Sequence, residues 1–280
     1  MLPERLQARA RLALVFRGAS TRWALPASAV LEVGAAPEGA AALRHGLPVE
    51  DFGKLLGEAP CTGPQKVTLV LDCAPPRALC VEAVEEVTDL AAAPFFRLPE
   101  GLGPGGLIRG ALLHRGRLAL ELEPQALADH QPGSAPAPRS LLPPEESPAR
   151  PPERSLVFEA GELGLIGMPL SLVTGVIRAE SPCRVPFAAF GHRGLVHHER
   201  SILSVFDLAL MAGRAQTKAD LAVSLDVSGQ ALAVLTSRVV GMVAGFAGPS
   251  LAEPGGLRWH TPDGRTALFP EVEAWVFPRT

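Results

Sequence analysis

Several residues in this 280-residue chain have the types and spacing that chemistry would use. Gly101-Leu-Gly-Pro-Gly-Gly106 satisfies G-x-G-x-x-G, the pattern whose glycines let a backbone approach a dinucleotide's pyrophosphate. Such a site needs a strand before the loop and a helix after it, so that phosphate meets a helix N-terminus. Here Pro-rich sequence precedes it and a hairpin pattern follows, so nucleotide binding is not expected. His192, His197 and His198 are metal-ligand types. Neighbouring strand residues face opposite ways, however, and no carboxylate or Cys stands at a ligand spacing, so they read as solvated or core histidines. Cys61, Cys73, Cys80 and Cys183 contain no C-x-x-C and fall three to one between the halves, which indicates neither a zinc site nor a disulfide framework. Cys80 beside a histidine could act as a nucleophile, but its place in an apolar period favours a buried structural thiol. No G-x-S-x-G, H-E-x-x-H or P-loop occurs. The residues therefore assign no catalytic, cofactor-binding or metal-binding role, and an enzyme is not expected.

The elements that would hold any site are organised around Leu43-Arg-His-Gly-Leu-Pro-Val-Glu-Asp-Phe-Gly-Lys-Leu-Leu-Gly57, which has a blurred second copy between Gly194 and Gly213. Both copies place Val-x-Asp six residues before a Gly: Val49, Asp51 and Gly57 in the first, Val205, Asp207 and Gly213 in the second. Asp accepts bonds from the orphan N–H groups of a first helical turn and Gly tolerates the left-handed backbone past a last one, so each copy predicts a strand feeding a short capped helix. Other landmarks recur in the same order. Pro26, Val30 and Val33 match Pro169, Val173 and Val176 at identical spacing, and Pro104-Gly-Gly-Leu107 matches Pro254-Gly-Gly-Leu257. The turn dipeptides Arg115-Gly116 and Asp263-Gly264 each sit inside a hairpin pattern. Lys66–Cys73 with Ala78–Val87, and Ala219–Val227 with Ala231–Val243, each read as a further strand pair. A tandem duplication is the economical explanation.

Composition bounds the rest. Hydrophobic residues make up 47% of the chain and charged ones 20%, enough apolar surface for packed cores. A net charge of −3 argues against nucleic acid as a partner, since that needs a basic excess on one face. The charged N-terminus is a poor signal peptide, no run of about 18 apolar residues could span a membrane, and the scattered cysteines suit a reducing cytoplasm. His130–Arg154 carries eight prolines and reads as a semi-extended spacer, giving domains at 8–129 and 155–280 with a linker at 130–154.

With these landmarks placed, each half resembles the CheW-like domain of bacterial chemotaxis coupling proteins. The family pattern leads from Asn-Leu-Arg-Gly into apolar-Pro-Val-x-Asp-Leu. Leu43-Arg44 followed by Leu47-Pro48-Val49-Glu50-Asp51 matches it with one residue missing between the Arg and the Pro. The second half keeps the length but has Glu199 for the Arg, Arg200 for the Gly and Ser204 for the Pro. The resemblance implies an all-β chain of two tandem domains, each built of two small SH3-like β-barrels with short helices. It also implies a non-enzymatic adaptor without cofactor, joining chemoreceptor-like proteins to the regulatory domain of a CheA-type histidine kinase. Leu43, Arg44, Gly46 and Pro48 would be the partner-binding residues, with Val49, Asp51, Gly57, Val205, Asp207 and Gly213 bearing the fold. The alternative is the same fold recruited to an assembly outside chemotaxis, such as a biosynthetic complex. Self-association stays open.

Overall fold

The computed structural model describes residues 11–18, 20–36, 43–98, 102, 106–130, 154–253 and 255–276. The Pro-rich stretch 131–153, residues 1–10 and most of the Gly101–Gly106 loop lie outside the described residues. By internal contacts the chain divides into two compact units. One comprises Met1–Ala135 with Cys183–Ala188, the other Pro136–Pro182 with Ala189–Thr280.

In unit 1 the order is β1 (Leu12–Gly18), β2 (Thr21–Pro26), β3 (Val30–Ala35), β4 (Leu43–Arg44), β5 (Leu47–Asp51), α1 (Phe52–Leu55), β6 (Val67–Leu71), β7 (Arg77–Val81), β8 (Ala83–Asp89), β9 (Phe95–Phe96), β10 (Ile108–His114), β11 (Arg117–Leu122) and α2 (Pro124–Asp129). Unit 2 repeats the series as β12 (Ser155–Glu159), β13 (Leu165–Pro169), β14 (Val173–Arg178), β15 (His192–His198), β16 (Ser201–Phe206), α3 (Leu208–Met211), β17 (Leu221–Val227), β18 (Gln230–Thr236), β19 (Arg238–Val243), β20 (Ala247–Glu253), β21 (Gly256–His260), β22 (Thr266–Pro270) and α4 (Val272–Val276).

The chain is all-β. Each unit holds a six-stranded and a five-stranded sheet. The orders are β8-β1-β2-β11-β10-β9 and β3-β6-β7-β5-β4 in unit 1, and β19-β12-β13-β22-β21-β20 and β14-β17-β18-β16-β15 in unit 2. Pairing is antiparallel except for one parallel pair per sheet, β2–β11, β5–β7, β13–β22 and β16–β18. The irregularities repeat as well. The ladder of β1 with β8 slips between Val15 and Phe16, and that of β12 with β19 between Val157 and Phe158. A bulge re-aims a strand and is kept when the turn it makes is needed. Its recurrence at one place in both units shows that the likeness extends beyond strand order to register.

One reading of the sequence needs correction. Ala78–Val87 and Ala231–Val243 are not single strands. Glu82 and Ser237 break them, so that β7 and β18 belong to the five-stranded sheets while β8 and β19 belong to the six-stranded ones. The three-residue spacing of Val81, Val84 and Val87 follows from this. One step crosses the break at Glu82, and the other spans Glu85, the extra residue of the bulge, because Val84 pairs with Phe16 while Glu86 pairs with Val15.

The sheets share a core. In unit 2, Leu156, Phe158, Ile166, Met168 and Leu268 of the six-stranded sheet pack with Phe206, Val223, Leu225, Leu232 and Val234 of the five-stranded one, with Leu208 and Trp275 from the helices. Alternate residues Ile177, Val196, Leu203, Val205, Ala222, Ala233 and Leu235 fill a second cluster. Both faces of that sheet are therefore buried, which explains strands that read as continuous apolar runs. In unit 1 the fully buried Phe52 stands edge-on to Phe16 and to Trp23, with ring centroids 5.3 Å away in both cases. Cys183–Ala188 packs into this unit: the Thr21 hydroxyl donates to the Arg184 carbonyl at 3.2 Å and Phe187 meets the His130 ring at 5.3 Å. Phe52→Ala removes an aromatic wedge with no neighbour able to refill it, and should cost unit 1 about 3–5 kcal/mol, read from urea unfolding.

Candidate functional site

The organising stretch becomes a strand, a four-residue helix and a fixed exit. Asp51 ends β5 and caps α1: one carboxylate oxygen accepts from the Lys54 N–H at 3.0 Å, and the other reaches ten residues on to accept from the Cys61 N–H at 3.0 Å. Asp207 repeats both bonds, from Leu210 N–H at 3.2 Å and from Thr217 N–H at 2.8 Å. It adds the Thr217 hydroxyl at 2.8 Å and the Arg193 guanidinium at 3.5 Å. Asp207 is fully buried, and a carboxylate is tolerated there because three hydrogen bonds and the nearby Arg193 charge replace its water. Gly57 and Gly213 follow the helix ends at φ 67° and 72°. Each donates to the carbonyl three residues back, Lys54 at 3.1 Å and Leu210 at 2.9 Å. The next residues, Glu58 and Arg214, donate to Gly53 and Ala209 at 2.8 and 2.9 Å. This is the Schellman arrangement, in which a left-handed residue lets two N–H groups reach back to carbonyls the helix leaves unpaired. Val49 lies beside Ala78 and Val205 beside Ala233 in the parallel pairs.

Leu43, Arg44, Gly46 and Pro48 share one hairpin. Leu43 pairs with Pro48 and Arg44 with Leu47 across the turn His45-Gly46, whose φ values are 51° and 78°. A turn with two consecutive positive φ angles matches the twist of the flanking strands, and Gly46 meets it without strain. Pro48 is exposed on β5. The ring of His45, beside Arg44, hydrogen-bonds the Glu32 carboxylate of β3, and Arg77 lies 3.7 Å from Glu50. The second hairpin, β15–β16, turns at Glu199-Arg200 and is longer. Val49 follows Gly46 by three residues, whereas Val205 follows Arg200 by five. Relative to the turn, Arg44 thus matches His198, and His45 matches Glu199.

Apolar side chains stand exposed on end strands at equivalent places in both units. Val33 on β3 and Val176 on β14 are 46% and 47% exposed, Val87 on β8 and Met242 on β19 are 59% and 65% exposed, and Leu31 on β3 is 61% exposed.

The histidines are not brought together as one site. His192 stacks edge-on against Phe206 at 5.1 Å, and both its ring nitrogens are buried without a hydrogen-bond partner. Burial pushes its pKa down to about 4. His197 is exposed, and His198 lies 3.9 Å from Glu199. Among the described residues no cluster of three or more His, Cys, Asp or Glu could hold a metal. Burial pushes the thiols of Cys73 and Cys80 up, and that of Cys183 up to about 12. The Cys73 Sγ lies 3.2 Å from the Pro75 carbonyl. Cys61 and Thr217, the far ends of the two carboxylate clasps, were not legible as functional positions. Their only signal is an equal distance of ten residues from the repeated Asp.

No family model matches the chain, and no curated protein matches it. Among solved structures it is similar to the scaffolding protein TtCheW from Thermoanaerobacter tengcongensis, with 18% identity, a TM-score of 0.35, 42% of this chain and 92% of that one covered. A likeness of that size decides neither family nor activity. Among the described residues, no helix is long and apolar enough to cross a membrane.

The clasps differ in what their loss should cost. Asp51→Ala should destabilise by about 1–2 kcal/mol, the value of a cap, while Asp207→Ala strands several buried donors and should cost about 3 kcal/mol or more in chemical denaturation. His192 generates a pH dependence. Its folded pKa lies below the ordinary 6.5, so the unfolded chain binds the extra proton first. The stability is intact above pH 6.5 and lost as pH falls toward 4, by at most about 3 kcal/mol. His192→Phe should flatten that part of the stability profile measured between pH 4 and 7.

Proposed function

We propose that the chain is a non-enzymatic adaptor built from two divergent CheW-like units, joining chemoreceptor-like proteins to the regulatory domain of a CheA-type histidine kinase. The observation that carries this reading is the repeated pair of sheets whose end strands bear exposed apolar residues, Val33 and Val87 in unit 1, Val176 and Met242 in unit 2. An end strand offers unpaired N–H and C=O groups to another protein's backbone, and apolar neighbours add side-chain contacts. In this reading Arg44 of the Leu43–Pro48 hairpin is the charged contact residue. In this reading the chain works in the cytoplasm, and two units on one chain raise the effective concentration for a second partner.

A specific observation favours a second reading for unit 2. Its hairpin is two residues longer on the β16 side, turns on Glu199-Arg200 and carries Ser204 in place of Pro48. A unit that keeps the clasp and the core but changes this surface has been turned to another partner, in an assembly that need not be chemotactic.

The test is a titration of the full chain against a cognate kinase regulatory domain and receptor tip. Binding at micromolar or better affinity is expected, and no binding to either would sink the coupling reading. Arg44→Glu should weaken kinase or receptor binding about tenfold or more, about 1.4 kcal/mol, with unfolding unchanged. An unchanged affinity would remove Arg44 from the surface.

A further inference from the structure

The Asp51 clasp brings two cysteines together. Asp51 is the Cα partner of Cys80 in the β5–β7 pair, and the same carboxylate holds the Cys61 N–H at 3.0 Å. The Cys61 Sγ lies 3.5 Å from the Cys80 carbonyl oxygen, inside the fold at 1% exposure, whereas Cys80 is half-buried and reachable. Thr68 is the Cα partner of Cys80 on β6, on the same face, 1% exposed, with its hydroxyl lacking a hydrogen-bond partner. Unit 2 has the same backbone clasp without the thiols. Thr217 stands in the place of Cys61, and Leu235, two residues past Ala233, in the place of Cys80, which is two past Ala78.

We propose that Cys61 and Cys80 are a peroxide-oxidisable thiol pair, with Cys80 the attacking and Cys61 the resolving sulfur. The Cys80 thiolate attacks one oxygen of a peroxide, the O–O bond breaks, and the leaving hydroxide takes a proton as water. This leaves a sulfenic acid, whose oxygen the unpartnered Thr68 hydroxyl is placed to meet. Cys61 then attacks the Cys80 sulfur. The S–S bond forms, the S–O bond breaks, and the second hydroxide leaves as water with the proton of Cys61. Two thiols and one hydrogen peroxide become one disulfide and two waters. Burial and the neighbouring Cys61 and Asp51 hold the Cys80 thiol above its ordinary range, with Lys66 opposing them, so the thiolate is scarce at neutral pH and oxidation is slow.

The full chain is treated with hydrogen peroxide, alkylated, digested with trypsin without reductant, and read by mass spectrometry. The expected product joins peptides 55–66 and 78–97 through Cys61 and Cys80, two hydrogens lighter than the sum. Its rate should rise close to tenfold per pH unit from 7 to 9. In Cys61→Ser the sulfenic acid has no resolving thiol, and dimedone should label Cys80 at least tenfold more than in the unaltered chain. Over-oxidation of Cys80 in the unaltered chain without the cross-link, a cross-link made only in urea, or a rate independent of pH would each overturn the proposal. The cross-link assay uses the unaltered chain, so the test stands even if the variant does not fold.

Discussion

Each unit depends on one carboxylate that answers two demands. After β5 or β16 the chain must leave its sheet, drop an apolar side chain into the core and return, within a span too short for a self-supporting helix. A four-residue helix cannot repay its own nucleation. Asp51 and Asp207 supply what it lacks by holding the first turn with one oxygen and the returning loop with the other. The helix so fixed delivers Phe52 between Phe16 and Trp23, and Leu208 into the core with Phe158 and Ile166. Those contacts join the six-stranded sheet to the five-stranded one, so the tertiary core rests on a local polar constraint. Gly57 and Gly213 close the other end of the same device.

Much of this was legible because it is local. Val-x-Asp with a Gly six residues later encodes a cap and a left-handed stop at the positions where the chain needs them, and its repetition with Pro26 and Pro169 in step exposed the repeated order of elements. What could not be read depends on partners distant in sequence. Ala78–Val87 looks like one strand because the change of sheet takes a single residue, Glu82, and because a bulge at Glu85 imitates a three-residue period. Nothing in the identity of Cys61 or Thr217 announces a carboxylate ten residues earlier, since the bond uses the backbone N–H that every residue but proline carries. The histidines show that closeness in sequence is not closeness in a site. His192, His197 and His198 are close in sequence, yet strand alternation and the chain's path give one a buried aromatic neighbour and another solvent.

The two units show which positions the fold holds and which it releases. Backbone devices are kept: the clasp, the Schellman exit, the bulge and the parallel pairs. Side chains on the outer face of the six-stranded sheet are not. In unit 2 that face packs Phe246 edge-on against Phe269, with Trp259 nearby. In unit 1 small residues, Ala13 and Ala24, leave room for the buried Glu121, which pairs with Arg11 and lies 3.8 Å from Arg109. Glu121 is buried but its arginine partners are partly exposed, so solvent screens the pairs and they add little stability. An aromatic cluster stabilises by area, so the same sheet is sustained by different physics in the two copies.

The same separation bears on function. If the clasp fixes the helix and the core whatever the hairpin does, the β4–β5 and β15–β16 hairpins can change length and charge without cost to the interior. Unit 1 has spent that freedom on a short turn with Arg44 beside it and an exposed Pro48, and unit 2 on a longer ladder ending in Glu199-Arg200. Specificity is a difference of affinities, and two copies with equal surfaces would have none between them. Two units that keep one backbone framework while differing at the hairpins and across one face of the six-stranded sheet therefore present two distinguishable surfaces on a single folding solution.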